Sequence, residues 1–517
     1  MLSYNEKKLI SILQKVVNNN TFEEDEIQFI NSEVFWESTK KQGIFLFIFE
    51  KLNFLINQTF ILNRYRNEFL EYKSWIDIIL HIQNEIFAYI KQNKIPAIVI
   101  KGIALSKMLY GNFYSRKIGD IDLLVEECNV LKLDHALREL GYEEFNDYFP
   151  DLVLDEPLLK QDGAHELFPY RKKINNTEIE VEIGINLHAR IKEPFIKEMI
   201  KNSKGYQSEN YFYVTLNEEA TLAQLIENAY ESYGGQYCIR TGKTNLKDYL
   251  DLMMFLKAYN FTVSKIMNIV LHYEIANEAY EIFNNLKCIF NSDDRLYEVV
   301  KSLEGEINEK VKYEYNGNIF WERLFDPDKS VWRYMIDHKK SIYSCENKKF
   351  YDIKPANQYL KCNMKDMTFS YSVQRKGNIF TISLNVDNIF AENMKNYYVE
   401  FLVYNNNMNN KNFASSVDLF SIDDEFYVSV CDMPFTLVRS NHIKTGECMD
   451  NKERIRHTME NNEYHFDINI SLDKLGLTLC EHSVIAVDIA LLEKTTCYTY
   501  KILDLNGLEN SVPMFVI

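Results

Sequence analysis

The stretch KGIALSKMLYGNFYSRKIGDIDLLV (101–125) decides the fold. It begins inside IPAIVIKG (95–102), a short apolar run opened by Pro96 and closed by Gly102, the pattern of a buried strand. IALSKMLYG (103–111) shifts to helical spacing and stops at Gly111. IGDIDLLV (118–125) alternates apolar and polar residues over its first half, as a strand does. Val130 to Leu140 is helical again and ends at Gly141, and TEIEVEIGINLHARI (177–191) alternates, with Glu178, Glu180, Glu182, Gly184, Asn186 and His188 on one face. Strand, helix, strand, helix and strand between residues 95 and 190 predict a small α/β unit.

Outside that unit the period changes. From Glu6 to about Asn93, apolar residues recur every three or four positions, most clearly from Phe69 to Ile90, which predicts helices. A second helical pattern runs from Asn217 to about Leu303 and includes LKDYLDLMMFLKAY (246–259), while Tyr313 to Asn316 and Cys345 to Lys349 read as loops. Beyond that lie FTISLNVDNIF, YYVEFLVYN, SSVDLFSI, EFYVSVC, EYHFDINISL and SVIAVDIALLE, separated by Asn, Gly and Asp turns. The expected fold class is multidomain, α/β plus all-β. It comprises an N-terminal helical region over 1–93, an α/β core over 94–210, a helical region over 211–350 and an antiparallel β-sandwich over 351–517.

Among the 517 residues, 58 Lys and Arg stand against 75 Asp and Glu, a net charge of −17. Broad nucleic-acid binding needs a basic footprint, so extended contact with RNA or DNA is disfavoured, while a local basic pocket is compatible with this charge. The nine cysteines are scattered and never form a CxxC pair, which argues against a disulfide scaffold or a thiolate zinc site and points to the reducing cytoplasm. The N-terminal MLSYNEKKLISILQKVV carries charges within its apolar pattern, and Ile44 to Ile56 is interrupted by Glu50 and Lys51. Neither a signal peptide nor a membrane span is expected.

The chemistry concentrates around Asp120 and Asp122. Two residues apart on a strand, their carboxylates project from one face, and such a like-charged pair is costly unless a cation neutralises it. Hard oxygen donors suit magnesium, with manganese as a substitute. Glu182 or Glu180 on a neighbouring strand would complete a two-metal clamp. Lys101-Gly102, between strand and helix, suits a turn that lets the backbone approach a phosphate, and Arg116 brings a rigid fork of donors four residues before Asp120. Together these parts fit attack on the α-phosphate of a nucleoside triphosphate with loss of pyrophosphate. Each part also has a plain structural explanation: a chance Asp-x-Asp, a strand-to-helix turn, a solvated edge strand. Their order along the chain favours the chemical one.

Residues 101–125 resemble a segment of the nucleotidyltransferase superfamily, and more closely of its poorly characterised bacterial branch, in which lysine-glycine, a helix, an arginine and glycine-aspartate-x-aspartate follow one another. Ile103 after Gly102 fits that branch and departs from the wider pattern of a serine or second glycine there. The resemblance spans roughly residues 90 to 260. It implies a minimal nucleotidyltransferase core, with Asp120 and Asp122 as metal-binding carboxylates and Gly102 in the phosphate turn. Similar proteins carry an acid, an apolar residue and a histidine on the last core strand. Here the match is either Glu182-Ile183-Gly184, preferred because it keeps the carboxylate, or Asn186-Leu187-His188, which would leave the site one ligand short. His165, in DGAHELFPY, resembles a histidine near the acceptor, although a loop histidine bonded to a backbone carbonyl is the better fit. Lys247 lies on a helical segment that packs beside the nucleotide in similar proteins, together with Asp248 and Asp251, two residues that also suit caps or ion pairs.

Phe369 to Leu492 resembles, more weakly, the β-sandwich modules that bind sugars in extracellular glycoside hydrolases. That part of the chain has no tryptophan, and Tyr397, Tyr398, Tyr404 and Tyr427 are its candidate stacking surfaces. The expected activity is magnesium-dependent transfer of a nucleotidyl group to a hydroxyl of a small molecule or saccharide, with a protein hydroxyl as a further acceptor of the same chemistry. The rival expectations are a degenerate core serving as a binding or regulatory protein, and a toxin-like transferase acting on a protein or RNA. No GxxxxGK[ST] or GxSxG motif supports a P-loop kinase or a serine hydrolase.

Overall fold

The computed structural model describes residues 2–144, 167, 169–174, 177–187, 193–208, 211–233, 244–307, 317–325, 342–344, 351–353, 369–387, 397–405, 414–422, 425–431, 452–460, 463–471, 473–474, 484–493, 499–501 and 514–516. Those up to residue 325 form one compact unit and those from 342 onward a second.

The first unit is built on a mixed sheet. Its strands are β1 (Ala97–Val99), β2 (Ile121–Val125), β3 (Glu143–Glu144), β4 (Tyr170–Ile174), β5 (Thr177–Gly184), β6 (Lys204–Ser208) and β7 (Tyr211–Thr215), in the order β3-β4-β5-β2-β1-β7-β6. The β2–β5 and β1–β7 pairs are parallel, and the other neighbours are antiparallel. All five residues of β2 are buried, so both faces of the sheet are covered at its centre. The expected strand-helix-strand order is present, and the sheet continues through Thr215, whose hydroxyl donates to the carbonyl of Val99.

Helices α1 (Tyr4–Asn18), α2 (Glu24–Ile30), α3 (Glu33–Lys41), α4 (Phe45–Leu52) and α5 (Thr59–Gln92) precede the sheet. Ser3 and Glu6 close a capping box that starts α1. In α4, FLFIFEKL, six of eight residues are buried. A helix apolar on nearly every side is a core helix. Trp36 of α3 is wholly buried, donates from Nε1 to the Ile30 carbonyl (2.8 Å) and is ringed by Phe35, Phe45, Phe49 and Tyr65. This aromatic cluster packs the first half of α3 against α4 and α5. Two helices lie within the α/β segment, α6 (Gly102–Tyr110) and α7 (Val130–Glu139), followed by α8 (Glu193–Lys201) and α9 (Glu218–Tyr233). The remaining helices are α10 (Leu246–Tyr259), α11 (Val263–His272), α12 (Ala276–Ile289), α13 (Asp294–Leu303) and α14 (Gly317–Phe325). Among the described residues, no helix is long and apolar enough to cross a membrane.

Gln42 ties the early helices to α10. Its Oε1 accepts from Leu246 N (3.1 Å), its carbonyl accepts from Lys247 N (3.2 Å), and its Nε2 donates to the Leu324 carbonyl (2.8 Å). A residue 204 positions away therefore satisfies the N–H groups that open α10, where the preceding Asn245 makes no side-chain cap.

The second unit holds two sheets. The smaller consists of β9 (Tyr351–Ile353), β10 (Phe369–Lys376), β11 (Ile379–Asp387), β16 (His457–Glu460) and β17 (Glu463–Ser471), all antiparallel. The larger contains β12 (Tyr397–Asn405), β13 (Ala414–Ile422), β14 (Glu425–Cys431), β15 (Glu453–Arg454), β18 (Val484–Glu493), β19 (Thr499–Lys501), β20 (Met514–Val516) and β8 (Ile342–Ser344). It is antiparallel apart from the β20–β8 pair. Phe426 of the larger sheet meets Phe466 of the smaller edge to face at 4.9 Å, as in a sandwich. Period-two alternation buries Phe380, Ile382 and Leu384 of β11. On the opposite face Thr381 bonds Asn469 (2.7 Å) and Asn385 bonds His465 (2.7 Å). Among the four tyrosines considered as sugar platforms, Tyr427 donates to Glu425 (3.0 Å), and the other three side chains lie outside the description.

Replacing Gln42 with alanine would leave the Leu246 N–H and the Leu324 carbonyl without this partner inside the fold. The Gln42→Ala variant is expected to lose about 1–3 kcal/mol of stability, read as a lower urea midpoint for the helical signal at 222 nm. An unchanged midpoint would show that other groups take over both bonds.

Candidate active site

The turn after β1 is held by the backbone of the strand that carries the carboxylates. Ile100 N donates to the carbonyl of Asp122 (3.1 Å), which brings Lys101 beside β2, and Lys101 Nζ then donates to Asp122 Oδ1 (3.1 Å). Gly102 opens α6 at φ +51°, and a Cβ there would lie 3.4 Å from Ile118 Cγ2 and 3.6 Å from the Asp120 carbonyl oxygen. Those are ordinary contacts, so it is the left-handed conformation that favours glycine here. On the other side, Trp75 Nε1 of α5 donates to the Ile118 carbonyl (2.7 Å), fixing the approach to Asp120.

Asp120 sits immediately before β2 and Asp122 within it, with the Asp122 residue 6% exposed. Parallel pairing places Asp122 in register with Glu182 of β5. Burial, then the negative charges of Asp122 and Glu182, push the Asp120 carboxyl up to about 7 from an ordinary 3.8, against a smaller opposing effect of Lys101. Glu180 accepts from Arg171 Nε of β4 (2.8 Å). Among the described residues, no three His, Cys, Asp or Glu side chains are gathered tightly enough to cage a metal ion as they stand. The donor set is nonetheless suited to one: hard carboxylate oxygens from adjoining strands, mutually repelling, with the Lys101 ammonium lying where positive charge is needed.

These carboxylates line one part of a cavity of about 430 Å3, and cations line much of the rest. Lys40 and Lys41 come from the last turn of α3, Arg116 and Lys117 from the loop before β2, and Lys247 from the first turn of α10. With Lys101, the described lining has six cations against Asp120, Asp122 and Glu182, in a chain whose overall charge is −17. Gly43, at φ +69°, allows α3 to end against α10, since a Cβ there would come within 3.1 Å of Lys247 Cβ. The charge of Arg116, then burial, lower the Lys247 pKa, and Asp248 Oδ1 lies 3.9 Å from Lys247 Nζ. Arg116 is 8% exposed and donates through Nε to Asp251 Oδ2 (2.9 Å), while Tyr110 OH donates to Asp251 Oδ1 (2.6 Å).

The structure thus brings Lys101, Arg116, Asp120, Asp122, Glu182 and Lys247 to one cavity, with Gly102 in the adjoining turn. His165 and His188 lie outside the described residues. Sequence reasoning missed Lys40, Lys41, Gly43, Lys117 and Asn245, all of which line the cavity. The only signal for the first three is KKQG (40–43), and paired lysines at the end of a helical run read as ordinary partners of the helix dipole.

The raised Asp120 pKa has a definite sign in stability. Between about pH 4 and pH 7 the folded chain binds a proton there that the unfolded chain has released, so its stability falls as pH rises through that window. Asp120→Asn is therefore expected to raise the melting temperature of the metal-free protein at pH 8 by about 3 °C or more. At pH 5, where Asp120 is already protonated, the substitution should have little effect. Equal effects at both values would remove carboxylate repulsion as the cause.

The family model described as an uncharacterised nucleotidyltransferase matches residues 31–291, a span that includes every residue lining the cavity. No curated protein matches the chain. Among solved structures, an antigenic nucleotidyltransferase-like protein from Paracoccidioides brasiliensis is similar at 12% identity over 38% of this chain and 88% of that one, with a TM-score of 0.24. Because the family model covers half of the chain and all of its cavity, the chain belongs to this uncharacterised nucleotidyltransferase family.

Proposed function

We propose that the protein transfers a nucleoside monophosphate from a magnesium-bound nucleoside triphosphate to a hydroxyl acceptor, releasing pyrophosphate. The observation that carries this reading is the composition of the cavity lining, which combines Asp120, Asp122 and Glu182 with Lys40, Lys41, Lys101, Arg116, Lys117 and Lys247. Carboxylates attract metal ions and the cations attract polyphosphate, so one lining that holds both suits a metal-bound polyphosphate. A volume of about 430 Å3 falls within the range of small-molecule sites.

Asp120 and Asp122 would hold magnesium, with manganese as a substitute, and Glu182 is the proposed third ligand. When bound, the metal would neutralise charge developing at the phosphate and lower the pKa of the attacking hydroxyl. Lys101 would exchange its bond to Asp122 for a phosphate oxygen, because the carboxylate then has a stronger partner. Gly102 would let the backbone approach the phosphates at the start of α6, where unpaired N–H groups favour negative charge. Arg116 and Lys247 would bind the departing pyrophosphate. The proposed acceptor is a small molecule or saccharide.

The test is magnesium-dependent pyrophosphate release from each of the four nucleoside triphosphates, with cell extract supplying the acceptor. Wild type should show release that requires extract and magnesium. Asp120→Asn combined with Asp122→Asn should lower the rate by at least about a hundredfold. If no triphosphate binds even with magnesium or manganese, the transferase reading fails. Nucleotide binding that persists without turnover and without need for the two carboxylates would favour a degenerate core with a binding role.

A further inference from the structure

We propose that Asp251 and Tyr110 are positioning residues that aim Arg116 at the phosphate chain, an inference that rests on the cavity being a polyphosphate site. Arg116 lies on the loop between α6 and β2, where no helix or strand fixes its long side chain. An arginine gripped through Nε is restrained in rotation and presents its terminal nitrogens as a fork. Here the grip comes from Asp251 Oδ2 at 2.9 Å, and the second oxygen of the same carboxylate accepts from Tyr110 OH at 2.6 Å. With one bond to each oxygen, the plane of the carboxylate is set.

Three features argue that this network serves the ligand and not merely the fold. A buried ion pair is weak evidence for stability, because desolvating two charges offsets much of their attraction. Arg116 lines the cavity whereas Asp251, 2% exposed, lies behind it. Finally, Asp251 follows Lys247 by four residues on α10, so one helix sets the positions of two cations in the cavity, Lys247 directly and Arg116 through the carboxylate. Tyr110, at the end of the helix that Gly102 begins, links the phosphate turn to the same carboxylate. Burial, and then the Asp251 charge, keep its hydroxyl protonated, so it remains a donor.

The test uses the full chain and inorganic tripolyphosphate without magnesium, by calorimetry, on wild type, Arg116→Gln, Asp251→Asn, Tyr110→Phe and the Arg116→Gln/Asp251→Asn double variant. Asp251→Asn is expected to weaken binding about tenfold and Tyr110→Phe about threefold, while the double variant should match Arg116→Gln within about twofold. A residue acting only through general stability would show no such dependence on Arg116. Additive losses, or wild-type affinity in Asp251→Asn, would overturn the proposal. Should Asp251→Asn fail to fold, the cycle of Tyr110→Phe with Arg116→Gln applies the same criterion. Magnesium-dependent nucleotide binding by wild type, lost in Asp120→Asn/Asp122→Asn, separates the two levels. If it is present while the Asp251 cycle is additive, only the positioning role falls. If wild type binds neither tripolyphosphate nor any magnesium nucleotide, the polyphosphate site falls and the positioning role with it.

Discussion

Mutual repulsion among Asp120, Asp122 and Glu182 is the constraint to which the rest of the first unit answers. A partly buried corner with three carboxylates is unfavourable in itself, and burial followed by the charges of Asp122 and Glu182 raises the Asp120 pKa. The fold does not disperse them. Parallel pairing of β2 with β5 locks Asp122 beside Glu182, and the backbone bond from Ile100 to Asp122 draws the Lys101 turn against the same strand. Lys101 provides local compensation through its bond to Asp122. Well-formed backbone structure keeps these acids together despite their repulsion.

The basic half of the cavity depends on a different kind of support. None of Lys40, Lys41, Arg116, Lys117 and Lys247 lies on the sheet. They are held by a packed aromatic cluster around Trp36, by Gln42 bridging from the end of α3 to the start of α10, and by the Arg116–Asp251–Tyr110 network. The end of α3 is therefore part of the cavity, and the family model, which begins at residue 31, includes α3, α4 and α5. An α/β core without α3 would keep its carboxylates and lose Lys40 and Lys41.

Much of the architecture was legible along the chain because its patterns are local. Helical and strand periods in 95–191 correspond to β1, α6, β2, α7 and β5, and the alternating segments after residue 369 to the two sheets of the second unit. Asp120 and Asp122 stood out because they follow a strand, a glycine turn, a helix and Arg116 in that order. Gly111 and Gly141 marked helix ends, and both adopt positive φ. Glu182 and Glu180 were indistinguishable by spacing, since both fall on one face of β5. Strand register and the Arg171 bond to Glu180 give the two acids different surroundings.

What the sequence determined by itself is the helical runs, the strands β1, β2 and β5 and the acidic character of the site, because helix, strand and turn preferences act over a few residues and the aspartates are two positions apart. Only the tertiary structure decided the basic half. Lys40 and Lys247 are separated by more than two hundred residues, and their shared cavity results from Gln42 satisfying the open N–H groups of α10 and from Gly43 leaving room for Lys247. Arg116 was visible as a cation, but Asp251 as its anchor was not. A buried ion pair across 135 residues depends on how helices pack, and no local period records that.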